Sequence, residues 1–220
     1  KVGLLLQRLE STTDTYEQGD LFESIAGLFE HKLGSVDSAF EVYLQAFEAT
    51  QDEERFGGSL ARLAQIPEQW QQVVSLYEKT LGTGSTRMDQ VDMRLRTAQW
   101  SLTELGDADR AAIHFRAVLD VDPSCLTALI ALGEILETNQ SWAQLPAILE
   151  ARINLEDDEA LMKSLSLKLA EIYDARLGQE AEAVVWYRRA LDFDAENLDI
   201  LAALEGALTV QMNWTELVDV

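Results

Sequence analysis

Apolar residues recur along the chain at helical spacing, in pairs of stripes separated by short polar breaks. Ala39, Tyr43, Ala46 and Phe47 fall at i, i+4, i+7 and i+8, which puts all four on one helical face. Ala111, Phe115, Val118 and Leu119 repeat the stripe, as do Ala183, Tyr187, Ala190 and Leu191. The small residue always comes first: it lets a neighbouring helix approach closely, and the aromatic one turn later fills the wedge beyond that contact. A leading stripe precedes each of these: Ala26, Leu28 and Leu33; Ala98, Trp100 and Leu105; Ala170, Ile172 and Leu177. Each leading stripe ends at a glycine, Gly34, Gly106 or Gly178, where a left-handed residue stops a helix. The polar Ser35, Asp107 and Gln179 follow, where the next helix starts.

The stripes belong to a repeat of 72 residues, with three-way identity at Ala26/Ala98/Ala170, Leu33/Leu105/Leu177, Gly34/Gly106/Gly178, Ala39/Ala111/Ala183, Leu60/Leu132/Leu204 and Trp70/Trp142/Trp214. Each row splits again, since Ala39, Tyr43 and Phe47 correspond to Val73, Tyr77 and Leu81 at an offset of 34, and the return to Ala111 takes 38. The expected organisation is a single array over 1–220. Residues 1–15 form the second helix of a truncated unit, and helix-pair units follow at 16–50, 51–85, 86–122, 123–156, 157–194 and 195–220, the last one truncated. Thr50 with Glu53, Ser141 with Gln144 and Asn213 with Glu216 have capping-box spacing. Asp122 followed by Pro123 reads as an N-cap with proline at the first helical position, and Pro146 lies near the start of a helix. The aspartates of residues 105–123 are therefore expected to cap helices, each stabilising by ~0.3–1 kcal/mol, instead of holding a metal.

These residues resemble the tetratricopeptide repeat (TPR) family. The resemblance rests on the segment from Leu165 to Asn197 and on that from Ala128 to Ile153. Leu132 and Gly133 match the family's leucine and glycine pair in the first helix, Ala183 and Tyr187 its alanine and aromatic in the second, and Pro123 its terminal proline. The chain departs from the pattern in places. The helices before Gly34, Gly106 and Gly178 are one residue longer, Glu171 and Gln99 stand for the glycine, and Gln51 and Ala195 stand for the proline. The resemblance implies an all-α fold: antiparallel helix pairs stacked into a right-handed α-solenoid whose concave groove binds peptides or other proteins. Long acidic arrays of this kind are familiar from bacterial proteins. Lys1 aligns with Val73 and Val220 closes the chain six residues after Trp214, so a fragment of a longer array is expected.

Composition narrows the class of partner. The 39 acidic against 17 basic residues give a net charge of −22, which repels nucleic acid phosphates and anionic lipid and favours basic or neutral protein surfaces. Cys125 is the single cysteine and cannot form an internal disulfide. The apolar run from Val2 to Leu6 is too short for a membrane span and lacks a signal-peptide cleavage pattern; the location is cytoplasmic by default and, for a fragment, unknown.

Candidate chemistry is sparse. The stretch from Asp192 to Asp199 begins like a calcium loop, but Asn197 replaces the turn glycine and Ala203 the final glutamate. Gly82 to Thr86 lacks the lysine of a phosphate loop, and His31 and His114 have no partner at metal spacing. No catalytic, cofactor or metal residue is assigned, and the chain is expected not to be an enzyme. Ala39, Tyr43, Trp70, Ala111, Phe115, Trp142, Ala183, Tyr187 and Trp214 are expected to form the repeat core. Trp70 leads Val73 and Tyr77, and Trp142 leads Leu145 and Leu149, at i, i+3 and i+7, so the repeat tryptophans are assigned to helix packing. Trp186 flanks its stripe in a column that holds Val42 and His114 and is a candidate partner contact. Arg87, Arg94 and Arg96 form the densest basic patch.

If the first helix of each pair lines the concave side, Glu23, Gln99, Glu134 and Glu171 face the groove. The basic and asparagine clamp by which some family members hold acidic chaperone tails is not evident there, and an acidic groove favours a basic or amphipathic segment. The expected function is a non-catalytic scaffold binding a protein or peptide in the concave groove. The alternative is a structural spacer that self-associates end to end through its terminal helices.

Overall fold

In the computed structural model, which describes residues 1–82 and 90–210, the chain folds into α1 (Val2–Ser11), α2 (Thr15–Leu28), α3 (Val36–Thr50), α4 (Glu53–Leu63), α5 (Pro67–Leu81), α6 (Val91–Thr103), α7 (Ala108–Leu119), α8 (Leu126–Thr138), α9 (Leu145–Ile153), α10 (Glu159–Glu171), α11 (Glu180–Leu191) and α12 (Leu198–Val210). No strand occurs among the described residues. Trp214, the Asn213 and Glu216 pair, Arg87 and the stretch after Gly82 lie outside them. Two compact units, Lys1–His114 and Phe115–Val220, divide the chain within α7.

The leading helices end as the glycines predict, by a wider turn than an α-helix makes. Gly34, Gly106 and Gly178 have φ of 67°, 65° and 61°. In front of Gly34 and Gly178 the backbone makes π-helical turns, Phe29–Leu33 and Ile172–Leu177. A π turn bonds five residues back instead of four, so it absorbs the extra residue that these helices carry. α6 does the same at its tip, where the Leu105 N–H donates to the Trp100 carbonyl at 3.2 Å. All three ends then close alike: the amides of Ser35, Asp107 and Gln179 donate to the carbonyls of Phe29, Ser101 and Tyr173 at 2.9, 2.8 and 2.8 Å.

The caps correct three expectations. Thr50 is the last residue of α3; its hydroxyl donates to the Ala46 carbonyl, and Asp52 instead caps α4 by accepting from the Arg55 amide at 3.1 Å. Asp122 accepts from the Ser124 amide and hydroxyl in a turn that precedes α8, whose N-cap is Cys125. Ser141 bonds the amides of Gln144 and Leu145 through its backbone carbonyl, and α9 starts only at Leu145. Asp107 behaves as expected and accepts from the Arg110 amide at 3.0 Å.

Within residues 1–114, α2 packs on α3, α3 on α4 and α5 on α6, around a core that includes Ala26, Ala39, Tyr43, Phe47, Phe56, Leu60, Trp70 and Tyr77. Four rings run through it. Phe47 stacks on Tyr77 at 4.9 Å, Tyr77 meets Trp100 edge-on at 5.0 Å, and Trp100 lies 5.5 Å from Trp70. Such contacts add ~0.5–1.5 kcal/mol each beyond the area they bury. Burial, then the adjacent Glu53 carboxylate, pushes the Tyr77 hydroxyl well above its usual range, so it stays a donor to Glu53 at 3.1 Å. Within residues 115–220, α8 packs on α9, α10 on α11 and α11 on α12, with Ala170, Ala183, Tyr187, Ile200 and Leu204 in one cluster.

Ion pairs tie several helices to their counterparts one pair later. Arg55 of α4 reaches Asp20 and Glu23 of α2, both at 2.6 Å, and Arg62 reaches Glu30 at 2.6 Å. Lys79 of α5 reaches Glu48 of α3 at 2.5 Å, and Arg110 of α7 reaches Glu78 of α5 at 2.6 Å. In these pairs the acid comes from the earlier helix and the base from the later. Arg96 also pairs with Glu53, and Arg94 donates to Gln90 at 3.2 Å, which uses both described members of the basic patch.

Two measurements check this packing. A Cβ added at Gly57 would sit 2.4 Å from the Tyr77 hydroxyl and 2.8 Å from Glu53 Oε1, whereas one at the adjacent Gly58 meets nothing within 4 Å. Gly58→Ala is therefore expected to raise the denaturant midpoint by the equivalent of ~0.5–1 kcal/mol. Gly57→Ala is expected to lower the same midpoint. The second is a pH effect at Glu78, where the hydrogen bond from Arg110, with a further one from His114, holds the carboxyl below its ordinary value of 4.5 despite burial. A folded value below the unfolded one stabilises the fold above the ordinary carboxylate range and is lost as pH falls through the lowered value. Thermal melts of wild type and Glu78→Gln should differ most near neutrality and converge in acid.

Candidate binding site between the first helices

Two leading helices of the second unit build the most complete site. α8 buries Leu129, Leu132, Ile135 and Leu136 and leaves Ile130 and Glu134 exposed one turn apart. Asp158 accepts from the amides of Ala160 and Leu161 to start α10, which buries Leu165, Leu169 and Ala170 and leaves Glu171 in solvent. Between them lies a cavity of ≈ 290 Å³, lined by Glu137, Trp142, Lys168, Glu171, Ile172 and Arg176, with Ala175 at its side. Lys168 bridges to Glu137 at 2.5 Å, and the Arg176 guanidinium lies 5.1 Å from the centre of the Trp142 ring. A cation over an indole face is held by the ring quadrupole, ~0.5–1 kcal/mol at an exposed site.

The two units treat the same tryptophan differently. Trp70 is 9% exposed and packs on Trp100. Trp142, 72 residues on, is only half-buried, because Ile172 stands at the position of Trp100. An isoleucine replaces an indole in the wall, and space opens where the first unit is filled. Trp142 thus differs from the core role expected of it. The other described repeat residues Ala39, Tyr43, Trp70, Ala111, Phe115, Ala183 and Tyr187 are buried.

The partner candidates differ in their surroundings. Glu23 is engaged by Arg55, with the Arg55 Nε at 3.1 Å, so it joins α2 to α4. Gln99 and Glu134 are exposed. Glu171 alone of the five lines the cavity. Trp186 is half-buried against the Ala183 and Tyr187 cluster, with Arg189 5.0 Å from its ring centre. The sequence reasoning missed Glu137, Trp142, Lys168 and Arg176 as site residues. Their signal was the exchange of Trp100 for Ile172 in an otherwise repeated stripe.

His114 and the stretch from Asp192 to Asp199 have structural partners. His114 Nε2 lies 3.0 Å from Glu78 Oε1, and Asn197 caps α12 by accepting from the amides of Asp199 and Ile200. Asp194 accepts from Lys163 and Asn197. Among the described residues no group of three or more histidine, cysteine, aspartate or glutamate side chains could hold a metal ion, and no helix is long and apolar enough to cross a membrane.

Helix pairs packed in succession define an all-α helical-repeat protein. Residues 164–197 match the tetratricopeptide repeat family, and further helix pairs precede that segment. No curated protein matches it. Among solved structures it is similar to YrrB, described as a TPR protein with an unusual peptide-binding site, at 14% identity over 92% of this chain and 98% of that one, with a TM-score of 0.49. It is similar also to the C-terminal part of a TPR repeat-containing protein from Cytophaga hutchinsonii, at 15% identity over 84% and 73%, TM-score 0.48. A third is MamA from Desulfovibrio magneticus RS-1, at 17% identity over 82% and 97%, TM-score 0.44. Proteins of this repeat family serve in general as interaction scaffolds, and their partners are proteins or peptides.

The charges of this site are expected to matter little to stability. Lys168 and Glu137 are 38% and 42% exposed, and such pairs contribute ~0–1 kcal/mol. Lys168→Met should shift the unfolding free energy by less than ~1 kcal/mol, against a loss of ~2–5 kcal/mol for Leu169→Ala at the fully buried next position, both read by chemical denaturation.

Proposed function

We propose that the chain is a non-catalytic scaffold that binds a basic segment of a protein or peptide along the exposed faces of α8 and α10. The observation that carries this reading is the distribution of charge. The protein has 22 more acidic than basic residues, and many of its cations are already engaged by its own carboxylates or rings. The surplus that faces outward is therefore negative, and the exposed Glu134 and Glu171 belong to it. Charge of one sign on a binding face speeds encounter and selects the partner more than it adds affinity.

The test is titration of the protein with a capped lysine-rich peptide and with its glutamate-rich counterpart, followed by calorimetry. The lysine peptide should bind and the glutamate peptide should not. Binding should weaken steeply as salt rises from about 0.01 M to about 1 M, where the screening length falls from ~30 to ~3 Å. Absence of lysine-peptide binding at low salt contradicts the reading. Light scattering separates it from the spacer alternative, under which the particle mass grows with protein concentration in the absence of any peptide.

A further inference from the structure

We propose that the cavity between α8 and α10 is an anchor pocket for one aromatic side chain of the bound segment, seated against Trp142 and Ile172. This inference rests on the basic-segment reading above and adds the residue that the segment must carry.

The first unit supplies the geometry. There the repeat tryptophan, Trp70, carries an aromatic neighbour, Trp100, with centroids 5.5 Å apart and planes at 44°. Seventy-two residues later the tryptophan is retained as Trp142 and the neighbour is Ile172. The two residues line one cavity of ≈ 290 Å³. A dry apolar cavity of about 150 Å³ accepts benzene, so this space has room for a larger aromatic ring. The internal Trp100 ring in one unit is the template for an external ring in the other.

The rim fits a basic chain on either side of that ring. Glu171 is exposed on the α10 side, and Glu137 stands on the α8 side with Lys168 bound to it. Arg176 lies over the Trp142 ring and holds the indole in place. Aromatic side chains set in a pocket and ringed by polar groups are the usual anchors of protein interfaces, while the surrounding charges exclude water and set specificity. Trp142 is thereby assigned to partner contact as well as to helix packing.

Two capped peptides test the proposal, one with lysines flanking a central tryptophan and a twin with alanine at the centre. Wild-type protein should bind the tryptophan peptide at least about tenfold more tightly, a ratio equivalent to ~1.4 kcal/mol. Ile172→Trp, which installs the residue of the first unit, should bring the ratio near one. Trp142→Leu should do the same through the opposite change, and it decides the matter if Ile172→Trp loses its helical circular dichroism. Equal affinity of wild type for the two peptides overturns the anchor and leaves the basic-segment reading standing. Failure of both peptides to bind overturns both. A preference for tryptophan that survives in a folded Ile172→Trp and Trp142→Leu places the anchor elsewhere and overturns the proposal.

Discussion

Close approach of helices at alanine is the constraint on which the rest of this structure depends. Ala26, Ala39, Ala98, Ala111, Ala170 and Ala183 are each 0% exposed, and they fall at equivalent places in three successive repeats. Interaxial distance between packed helices is set at 8–10 Å by the side chains at the contact, so methyl groups there hold it at the short end. Tyr43, Phe115 and Tyr187, one turn beyond, then fill the diverging space and are buried in turn. Once a helix pair is fixed this way, the exposed faces of its leading helix and the clefts beside it follow.

Charge works on a longer scale. Glu48 with Lys79 and Glu78 with Arg110 join helices one pair apart, and in both the acid precedes the base in the chain. The same order holds at Glu137 with Lys168 in the second unit and is reversed at Lys163 with Asp194. Each bridge cancels one carboxylate against one cation, so the net charge of −22 rests on the carboxylates left unpaired.

The helix pairs were legible in the sequence because their determinants are local: stripes at i, i+4 and i+7, and glycines whose positive φ is required by the chain reversal at Gly34, Gly106 and Gly178. Caps were less legible. Thr50 and Asp52 both stand near the start of α4, and only the last turn of α3, extended through Thr50, decides that Asp52 caps the helix. Cross-helix pairs such as Glu78 with Arg110 lie outside any local window, since their spacing reflects the repeat. Trp142 was assigned to the core because its own stripe matches that of Trp70. Its exposure depends on Ile172, a residue 30 positions away that is smaller than its counterpart Trp100. A stripe reports which face of a helix is apolar, and the volume of what it meets decides whether that face is filled.

The most direct test of this account is the stability of Ala183→Leu compared with Ala181→Leu, two residues apart on α11, one fully buried and the other exposed. Enlarging the buried position should lower the chemical denaturation free energy by ~1–3 kcal/mol, because the neighbouring helix has no room to retreat without strain. Ala181→Leu should leave it unchanged within ~0.5 kcal/mol. Equal stability of the two variants, or a gain at Ala183→Leu, would contradict the claim that small residues set the approach of the helices.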